Sequence, residues 1–593
     1  MSEGADHNET TDRLAAEIAK VVERWNRVMA KQADWFVEDD GFRVVHPKVV
    51  TQAFSEMMLR MLDNPAPFIN QQMALMQQLG QLWADSTRRF WSGEAPTEPA
   101  VQPARDDKRF KDDAWAENVV FDFFKQAYLL TSRQIQDMVE QVPGLDPHTT
   151  RKLRFYTRQW VDAMSPSNFA MTNPEVVKAT LESKGENLVR GFANLLEDLE
   201  RNQGRFSVKM TDFSAFKLGE NIANSPGKVV FQNRLLQLIQ YSPSTPKVRQ
   251  TPLLIVPPWI NKYYILDLKP QNSFVKWAVE QGNTVFLISW VNPDESLSDL
   301  SFENYVTEGL LGAVDAALAA SGEKKLNALG YCIGGTLLAT TLAYLAPKRD
   351  KRIASATFLT SLLDFSDVGD LSVFIDEDQL QLMEEHMSHH GYFDGQHMAV
   401  AFSMLRENDL IWSFAIRNYL LGREPMPFDL LYWNSDPTRM PRAMHSFYLR
   451  NMYQYNRLRD PGGIKIGKTA IDLRKVQLPA FFLSTREDHI APWKSTYEGA
   501  KLLGGPVKFV LGGSGHVAGV VNPPVPEKYG YWTNENLPES ADEWLAGATQ
   551  TNGSWWLEWD RWLAGFSGEQ VKAREPQNGI EDAPGSYVKV RLI

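Results

Sequence analysis

The chain has 593 residues, long enough for about two to four structural units, and its residue patterns predict two. Hydrophobic residues make up 43% of it, including 18 Trp and 31 Phe, which indicates a globular protein with an aromatic-rich core and excludes a disordered or fibrous one. A net charge of -11 without a long run of Lys or Arg argues against nucleic acid as a partner.

The first residues, MSEGADHNETTDR, are acidic and polar and lack the basic-then-apolar pattern of a secretory signal. No stretch reaches the roughly 18 uninterrupted apolar residues of a membrane span. We therefore expect a cytoplasmic protein without a transmembrane segment. The single cysteine, Cys332, excludes an intrachain disulfide and a multi-cysteine metal site, so this thiol has to be explained by itself.

Residues 1–204 are predicted to form a helical N-terminal domain. Its variable helical region, 1–93, repeats apolar residues every three or four positions, as amphipathic helices do. A proline-rich linker at 94–106 follows, because this stretch has no periodic apolar face. The helical period then returns in segments such as Asn118–Thr131 and Pro174–Glu200.

Residues 205–593 are predicted to form a catalytic domain of α/β class. Short β-branched and aromatic runs alternate there with helical stretches, which indicates a mostly parallel sheet with the active site at the carboxyl ends of its strands. Between about 364 and 461 this alternation gives way to an insert rich in Leu, Met, Trp and Tyr, a candidate lid. The predicted strands are Val229–Gln232, Leu253–Val256, Thr284–Trp290, Leu326–Tyr331, Ala356–Leu359, Ala480–Ser484 and Val507–Leu511.

Cys332 lies in a glycine-flanked turn between the predicted strand Leu326–Tyr331 and a helical stretch, Thr336–Leu345. This pattern predicts a nucleophile elbow, in which a strained turn leaves room only for hydrogen at Gly330 and Gly334. The following helix N-terminus favours negative charge on the sulfur. For an isolated Gly-x-Cys-x-Gly motif, a buried structural cysteine beside helix-packing glycines is about equally common.

Two further residues favour the interpretation of Cys332 as a catalytic nucleophile. Asp488 comes just after a predicted strand, where an orienting acid would stand, and His516 lies in the glycine-rich loop after the next strand, where a general base would stand. The order Cys332, Asp488, His516 is the nucleophile, acid and histidine order of α/β-hydrolases. Taken singly, each partner would be better explained as an ordinary loop residue, Asp488 as a helix-capping carboxylate and His516 as a solvated histidine.

Other candidates compete for these roles. His489 adjoins Asp488, but side chains of neighbouring residues at a strand end point to opposite sides, so we prefer His516 as the base. Asp364 follows the end of an earlier predicted strand and is an alternative candidate for the acid, but we prefer Asp488. The pair His389–His390 lies in the insert and is predicted to be at the surface.

An oxyanion hole normally combines the N–H after the nucleophile, here that of Ile333, with one from the loop after an early strand. That loop is Pro257-Pro-Trp-Ile-Asn261. Since proline has no N–H, the second donor is predicted to be Trp259 or Ile260. A rigid turn that only shapes the pocket is an equally good interpretation of this loop.

From about Asp107 onward the sequence resembles the polyhydroxyalkanoate synthases, and among them the class I enzymes of short-chain substrates. The family triad maps onto Cys332, Asp488 and His516. The resemblance rests on Arg109-Phe-Lys-Asp-Asp-Ala-Trp115, Gln159-Trp-Val-Asp-Ala-Met-Ser-Pro-Ser-Asn-Phe169, Thr172-Asn-Pro-Glu175, Val256-Pro-Pro-Trp-Ile-Asn-Lys-Tyr-Tyr-Ile-Leu-Asp267, Gly330-Tyr-Cys-Ile-Gly-Gly335, Arg486-Glu-Asp-His489, Gly515-His-Val-Ala-Gly-Val-Val-Asn-Pro-Pro524 and Gly553-Ser-Trp-Trp556.

The resemblance implies growth of a polyester from (R)-3-hydroxyacyl-CoA, chiefly 3-hydroxybutyryl-CoA, with release of coenzyme A. It implies a homodimer in the cytoplasm, associated with polyester granules. No metal and no cofactor is predicted, because coenzyme A arrives as part of the substrate. The aromatic insert around Trp412, Tyr432 and Trp433 would then serve as a cover that keeps water out.

Two alternatives remain open from the sequence. A thioesterase or polyester depolymerase would use the same three residues with water as the acceptor. A non-catalytic granule-associated protein, from a different class, would use the helical region to adsorb to a hydrophobic surface. The intact elbow, acid and histidine argue against this last alternative.

Overall fold

The computed structural model describes residues 16–31, 42–93, 99–105, 107–204, 206–525 and 527–592. The chain forms two compact units, one of Met1–Asp212 with Phe402–Met426, the other of Phe213–Ala401 with Pro427–Ile593. Parts of the predicted variable region and linker, namely 1–15, 32–41, 94–98 and 106, lie outside the described residues. None of the described helices is both long and apolar enough to cross a membrane.

The first unit is built of helices whose starts follow from the sequence. Asn118, Asp146 and Asn173 each accept hydrogen bonds from backbone N–H groups of the first turn, the usual role of an N-cap. The predicted helix Pro174–Glu200 is broken at Gly185, which has a φ of 89°. The helices are 16–31, Pro47–Asp63, Ala66–Ser92, Ala114–Glu117, Val119–Glu140, Pro147–Ala163, Pro174–Glu182, Glu186–Arg201 and, from the insert, Asn408–Trp412, Ser413–Ala415 and Ile416–Leu420.

Part of the predicted insert belongs to this helical unit. Phe402–Met426 packs on helix Glu186–Arg201, where Tyr419 donates a hydrogen bond of 2.7 Å to Asp198. The backbones come so close that a Cβ atom on Gly191 would lie 1.8 Å from the carbonyl oxygen of Tyr419. The segment therefore packs closely against this helix, backbone to backbone.

Helix Ala66–Ser92 has apolar residues on two faces. Phe68 and Leu75 are buried on the face towards Val119–Glu140. A neighbouring face carries large apolar side chains at successive steps of four, three, seven and seven residues, which on a helix form one stripe. This exposed apolar stripe consists of Ile69, Met73, Met76, Trp83 and Phe90, each at least 55% exposed.

The second unit contains an eleven-stranded sheet in the order β15-β14-β13-β12-β7-β6-β4-β5-β2-β1-β17. The six strands from β13 to β5 in this order run parallel, and antiparallel strands extend both sides. The strands are β1 Gly227–Gln232, β2 Leu236–Tyr241, β3 Lys247–Arg249, β4 Leu253–Val256, β5 Val285–Trp290, β6 Leu326–Tyr331, β7 Ile353–Leu359, β8 Tyr392–Phe393, β9 Met440–Pro441, β10 Lys465–Ile466, β11 Thr469–Ala470, β12 Ala480–Thr485, β13 Val507–Gly512, β14 Tyr531–Thr533, β15 Thr549–Thr551, β16 Gln570–Lys572 and β17 Glu581–Asp582.

Helices connect and cover these strands. The main ones are Phe274–Glu280, Leu311–Ser321, Ile333–Leu345, Glu377–His390, Gly395–Leu405, Asp429–Asn434, Arg442–Tyr448, Trp493–Ala500, Ala541–Ala546 and Trp556–Ala564, with π-helical turns at Tyr305–Leu310 and Leu449–Gln454.

The register places the ends of three strands at one edge of the sheet. Tyr331 of β6 lies opposite Leu359 of β7, and Thr485 of β12 lies opposite Gly512 of β13. The loops after β6, β12 and β13 therefore leave from the same edge. All seven predicted strands are confirmed, with ends that differ by three residues at most.

Candidate active site

Cys332 occupies the turn between β6 and helix Ile333–Leu345. Its backbone has a φ of 53° and a ψ of -125°, a conformation that is costly for any residue with a side chain. Its N–H donates to the carbonyl of Leu359 at 2.9 Å, which anchors the turn to β7. The thiol is partly exposed.

The glycines around Cys332 are required by close backbone contacts. A Cβ on Gly330 would lie 2.5 Å from the Cα of Gly335, and one on Gly334 would lie 2.2 Å from the carbonyl oxygen of Val256. The prediction that only hydrogen fits at Gly330 and Gly334 is confirmed. Gly335 is equally constrained, because its Cβ would lie 1.9 Å from Ser361 Oγ, a contact that the motif did not predict.

Replacing Gly334 by alanine should destabilise the protein by about 3 kcal/mol or more, since the obstructing carbonyl oxygens of Val256 and Pro257, 2.2 Å and 2.8 Å from the new Cβ, belong to the backbone. The matched control is Gly312→Ala in helix Leu311–Ser321, where the new Cβ would meet nothing closer than 3.7 Å. That change should stabilise the helix by up to about 1 kcal/mol. Thermal melting measures both, and equal melting temperatures for the two variants would contradict the steric argument.

Asp488 and His516 contact each other at the same edge of the sheet. Asp488 follows β12, His516 follows β13, and His516 Nδ1 lies 2.7 Å from Asp488 Oδ2. Both residues are buried. The carbonyl oxygen of His516 accepts a hydrogen bond of 3.1 Å from the hydroxyl of Tyr331, the residue before Cys332. This bond ties the histidine loop to the elbow.

The Asp488 carboxylate has both oxygens occupied. Oδ1 accepts from the backbone N–H groups of Ile490 at 2.9 Å and Ala491 at 2.8 Å. Oδ2 accepts from Thr485 Oγ1 at 3.2 Å in addition to its contact with His516. The side chain of Asp488 is 0% exposed. A carboxylate held in this way is fixed in position.

The rival residues lie in other environments. Asp364 pairs with Arg459 at 2.9 Å and accepts from Asn456 Nδ2 at 2.8 Å, so its carboxylate is committed to a structural contact. His516 is a histidine that contacts the Asp488 carboxylate, through Nδ1 at 2.7 Å. His389 and His390 are exposed, in the last turn of helix Glu377–His390, as predicted. Among the described residues, no group of three or more His, Cys, Asp or Glu side chains is arranged to hold a metal ion.

The electrostatics of His516 favour its protonated form. Burial alone would lower the pKa of His516, but the Asp488 carboxylate and the Cys332 sulfur, by charge and by hydrogen bonding, raise that pKa to about 10. A proton transferred from the thiol to this imidazole would therefore be well stabilised. The arrangement is one that can generate a thiolate nucleophile beside an imidazolium.

The candidate oxyanion donors border the elbow. Ile333 is the first residue of its helix, so its N–H has no acceptor within the helix. The loop 257–262 begins against the same turn, as the close approach of Gly334 to Val256 and Pro257 shows. Trp259 is buried and packs on Trp290 and Tyr305.

Three tyrosines near Cys332 were not predicted. Burial raises the pKa of Tyr331, Tyr448 and Tyr453, and the charge of Cys332 raises all three further, so their hydroxyl groups lie within electrostatic reach of the sulfur. The insert residues Tyr448 and Tyr453 lie 5.5 Å apart, ring to ring. Nothing distinguishes them in the sequence from Tyr432 and Trp433, which are buried in the core instead.

The sequence matches two family models and several named proteins. Residues 106–278 match "Poly-beta-hydroxybutyrate polymerase (PhaC) N-terminus", and residues 251–523 match "alpha/beta hydrolase fold", which confirms the predicted fold. A "Poly(3-hydroxyalkanoate) polymerase" of Methylorubrum extorquens is 51% identical, over 91% of this chain and 90% of that protein. A "Poly(3-hydroxyalkanoate) polymerase subunit PhaC" of Rhizobium meliloti is 46% identical, over 98% of this chain and 94% of that protein. A protein of the same name from Cupriavidus necator is 44% identical, over 87% of this chain and 89% of that protein.

Proposed function

This chain belongs to the poly(3-hydroxyalkanoate) polymerases, and from that premise we propose that it polymerises (R)-3-hydroxyacyl groups on Cys332. It is an acyltransferase of the α/β-hydrolase fold. The substrate proposed is a short-chain thioester of coenzyme A, chiefly 3-hydroxybutyryl-CoA. The observation that carries the proposal is the contact of 2.7 Å between His516 and Asp488 at the sheet edge that also presents Cys332.

In the first step, His516 takes the proton of the Cys332 thiol through its Nε2 atom. The thiolate attacks the thioester carbonyl, and the oxyanion that forms is held by backbone N–H groups, for which Ile333 and either Trp259 or Ile260 are the candidates. When the intermediate collapses, the carbon–sulfur bond to coenzyme A breaks and His516 returns its proton to the departing sulfur. The products are free coenzyme A and an acyl group on Cys332.

In the second step, a 3-hydroxyl group attacks the acyl group on Cys332. His516 accepts the hydroxyl proton, an oxygen ester forms, and Cys332 leaves as the thiol after His516 returns that proton. The first transfer replaces one thioester by another and is nearly balanced in energy. The second converts a thioester into a more stable oxygen ester and so drives elongation.

Asp488 is proposed to orient His516 rather than to contact the substrate hydroxyl. Its side chain is 0% exposed, and both oxygens accept hydrogen bonds from the protein. The bond from Nδ1 fixes the orientation of the His516 ring, with Nε2 directed to the reaction. An incoming hydroxyl would have to displace one of these donors before it could reach the carboxylate.

The polymerase has to exclude water, because water would end the chain by hydrolysis. Tyr448 and Tyr453 are proposed to serve as the cover next to Cys332. Tyr448 is 6% exposed, and the two rings pack with Phe365 at 6.2 Å and 5.0 Å.

The enzyme is proposed to work as a cytoplasmic homodimer at the surface of its polyester granule. The exposed apolar stripe on helix Ala66–Ser92 supports contact with such a surface, because it presents five large side chains to solvent. Changing Met76 and Trp83 to glutamine should lower adsorption to polyester beads severalfold. Gln77→Glu and Gln78→Glu on the same helix are the control, and equal adsorption by both variants would rule out the stripe.

Incubation of the protein with (R)-3-hydroxybutyryl-CoA tests the proposal. Free thiol and chloroform-soluble polymer should appear together. Thiol release that yields only free 3-hydroxybutyrate would instead indicate a thioesterase, and loss of mass from added polyester would indicate a depolymerase. A parallel incubation with (R)-3-hydroxyoctanoyl-CoA measures the preference for short chains, which equal rates on the two substrates would contradict.

A further inference from the structure

Hydrogen bonds from the segment 433–438 hold the loop 257–262 in place. The carbonyls of Trp259 and Ile260 both accept from Thr438, from its hydroxyl and, at 2.9 Å, from its backbone N–H. The carbonyl of Lys262 accepts from Trp433 Nε1 at 2.6 Å. In a planar trans peptide the C=O and the following N–H point in opposite directions. Holding the Trp259 carbonyl therefore fixes the direction of the Ile260 N–H.

The same loop carries a buried ammonium group. Lys262 is only 3% exposed, and its Nζ donates to the carbonyl of Val590 at 2.6 Å. Asn292 Nδ2 donates to that carbonyl as well, at 3.3 Å. A buried ammonium is costly unless it is hydrogen-bonded and has an opposite charge nearby. Burial lowers the pKa of Lys262 to about 8, and Asp436 opposes that change.

Asp436 is the opposite charge, and it lies two residues before Thr438. It is 2% exposed, its Oδ2 accepts from Tyr264 at 2.9 Å, and its Oδ1 lies 3.6 Å from Arg591 Nε. Arg591 also donates to the hydroxyl of Tyr432 at 2.8 Å. Lys262, Asp436 and the partly exposed Arg591 thus form a charge cluster that joins the loop, the segment 433–438 and the segment 590–591.

Such a cluster is a poor way to gain stability, because desolvation of the charges offsets most of their attraction. It does fix geometry, since each charged group has a partner in a different segment. We propose that Lys262, Asp436 and Arg591 are positioning residues that hold the loop 257–262 in the orientation needed for oxyanion binding. This inference rests on the proposed function, because it assigns the loop a part in acyl transfer at Cys332.

The test compares Arg591→Gln, Arg591→Lys and the control Lys589→Gln, an exposed neighbour outside the cluster. Arg591 is 27% exposed at its side chain, so its replacement is tolerated better than that of the buried Lys262. Arg591→Gln should lower kcat for thiol release from (R)-3-hydroxybutyryl-CoA by about tenfold to a hundredfold, the effect of a displaced donor. Its KM should change by less than about twofold, because substrate binding in the ground state is untouched.

Arg591→Lys should recover part of the lost kcat, since it keeps the positive charge beside Asp436, and Lys589→Gln should match the wild type. Melting temperatures of all variants should lie close together. A wild-type kcat in Arg591→Gln, or equal losses in Arg591→Gln and Arg591→Lys, would overturn the inference. A wild type that forms no polymer would instead count against the proposed function, so the two failures are distinguishable.

Discussion

Replacing Cys332 by alanine should abolish both release of coenzyme A and formation of polymer, a loss of about 10⁴-fold or more in rate. No other thiol in the chain can take over, because Cys332 is the single cysteine. The measurement is thiol release with recovery of chloroform-soluble polymer. Activity that survives in Cys332→Ala would contradict the acyl-cysteine mechanism.

Cys332→Gly is the matched control for folding. Alanine keeps the strained backbone at a φ of 53°, whereas glycine adopts it at little cost. Both variants should be inactive, but the glycine variant should be more stable by about 1 kcal/mol. Thermal melting separates them, and an inactive alanine variant with a wild-type melting temperature excludes unfolding as the cause of the lost activity.

Changing Asp488 to asparagine should lower kcat by about 10⁴-fold while the fold is kept. The amide oxygen has to stay with the N–H groups of Ile490 and Ala491, so the amide NH₂ turns towards His516 Nδ1. Nδ1 must then accept, and the ring proton moves to Nε2. In that tautomer His516 has no free nitrogen to receive the proton of Cys332.

The same change should lower the pKa of His516 from about 10, because a carboxylate that raises this pKa is removed. NMR titration of selectively histidine-labelled protein would measure the pKa of His516 in both forms. Asp364→Asn is the control, since its carboxylate pairs with Arg459 and not with His516. That variant should keep wild-type kcat at some loss of stability. A drop in kcat as large as that of Asp488→Asn would point to Asp364 as the acid.

The sequence was sufficient to predict the parallel core of the sheet and the elbow. Buried parallel strands are continuous apolar runs such as Leu253–Val256. The steric requirement at Gly330 is local, because its Cβ would meet Gly335 in the same motif, and can be read from the chain. The contact of His516 with Asp488 agrees with the expectation that loops after neighbouring strands meet.

Other features depend on contacts that no local pattern encodes. Strand β2, Leu236–Tyr241, was not predicted, because it buries Gln237 and Gln240 among its apolar residues. Their amides find partners far along the chain, such as the carbonyl of Arg574, 3.2 Å from Gln240 Nε2. The tyrosines near Cys332 were missed for the same reason, since distant packing decides which of the insert's aromatic rings lie there.

The membership of Phe402–Met426 in the helical unit has a consequence for how the chain is made. Helix Glu186–Arg201 leaves the ribosome well before the segment that packs on it, with 214 residues (426 minus 212) still to follow once the unit's first part is complete. At typical translation rates that interval lasts roughly 10–40 s. During this time the face around Gly191 lacks its cover, so a nascent chain stalled before residue 402 should bind chaperones that the finished protein does not.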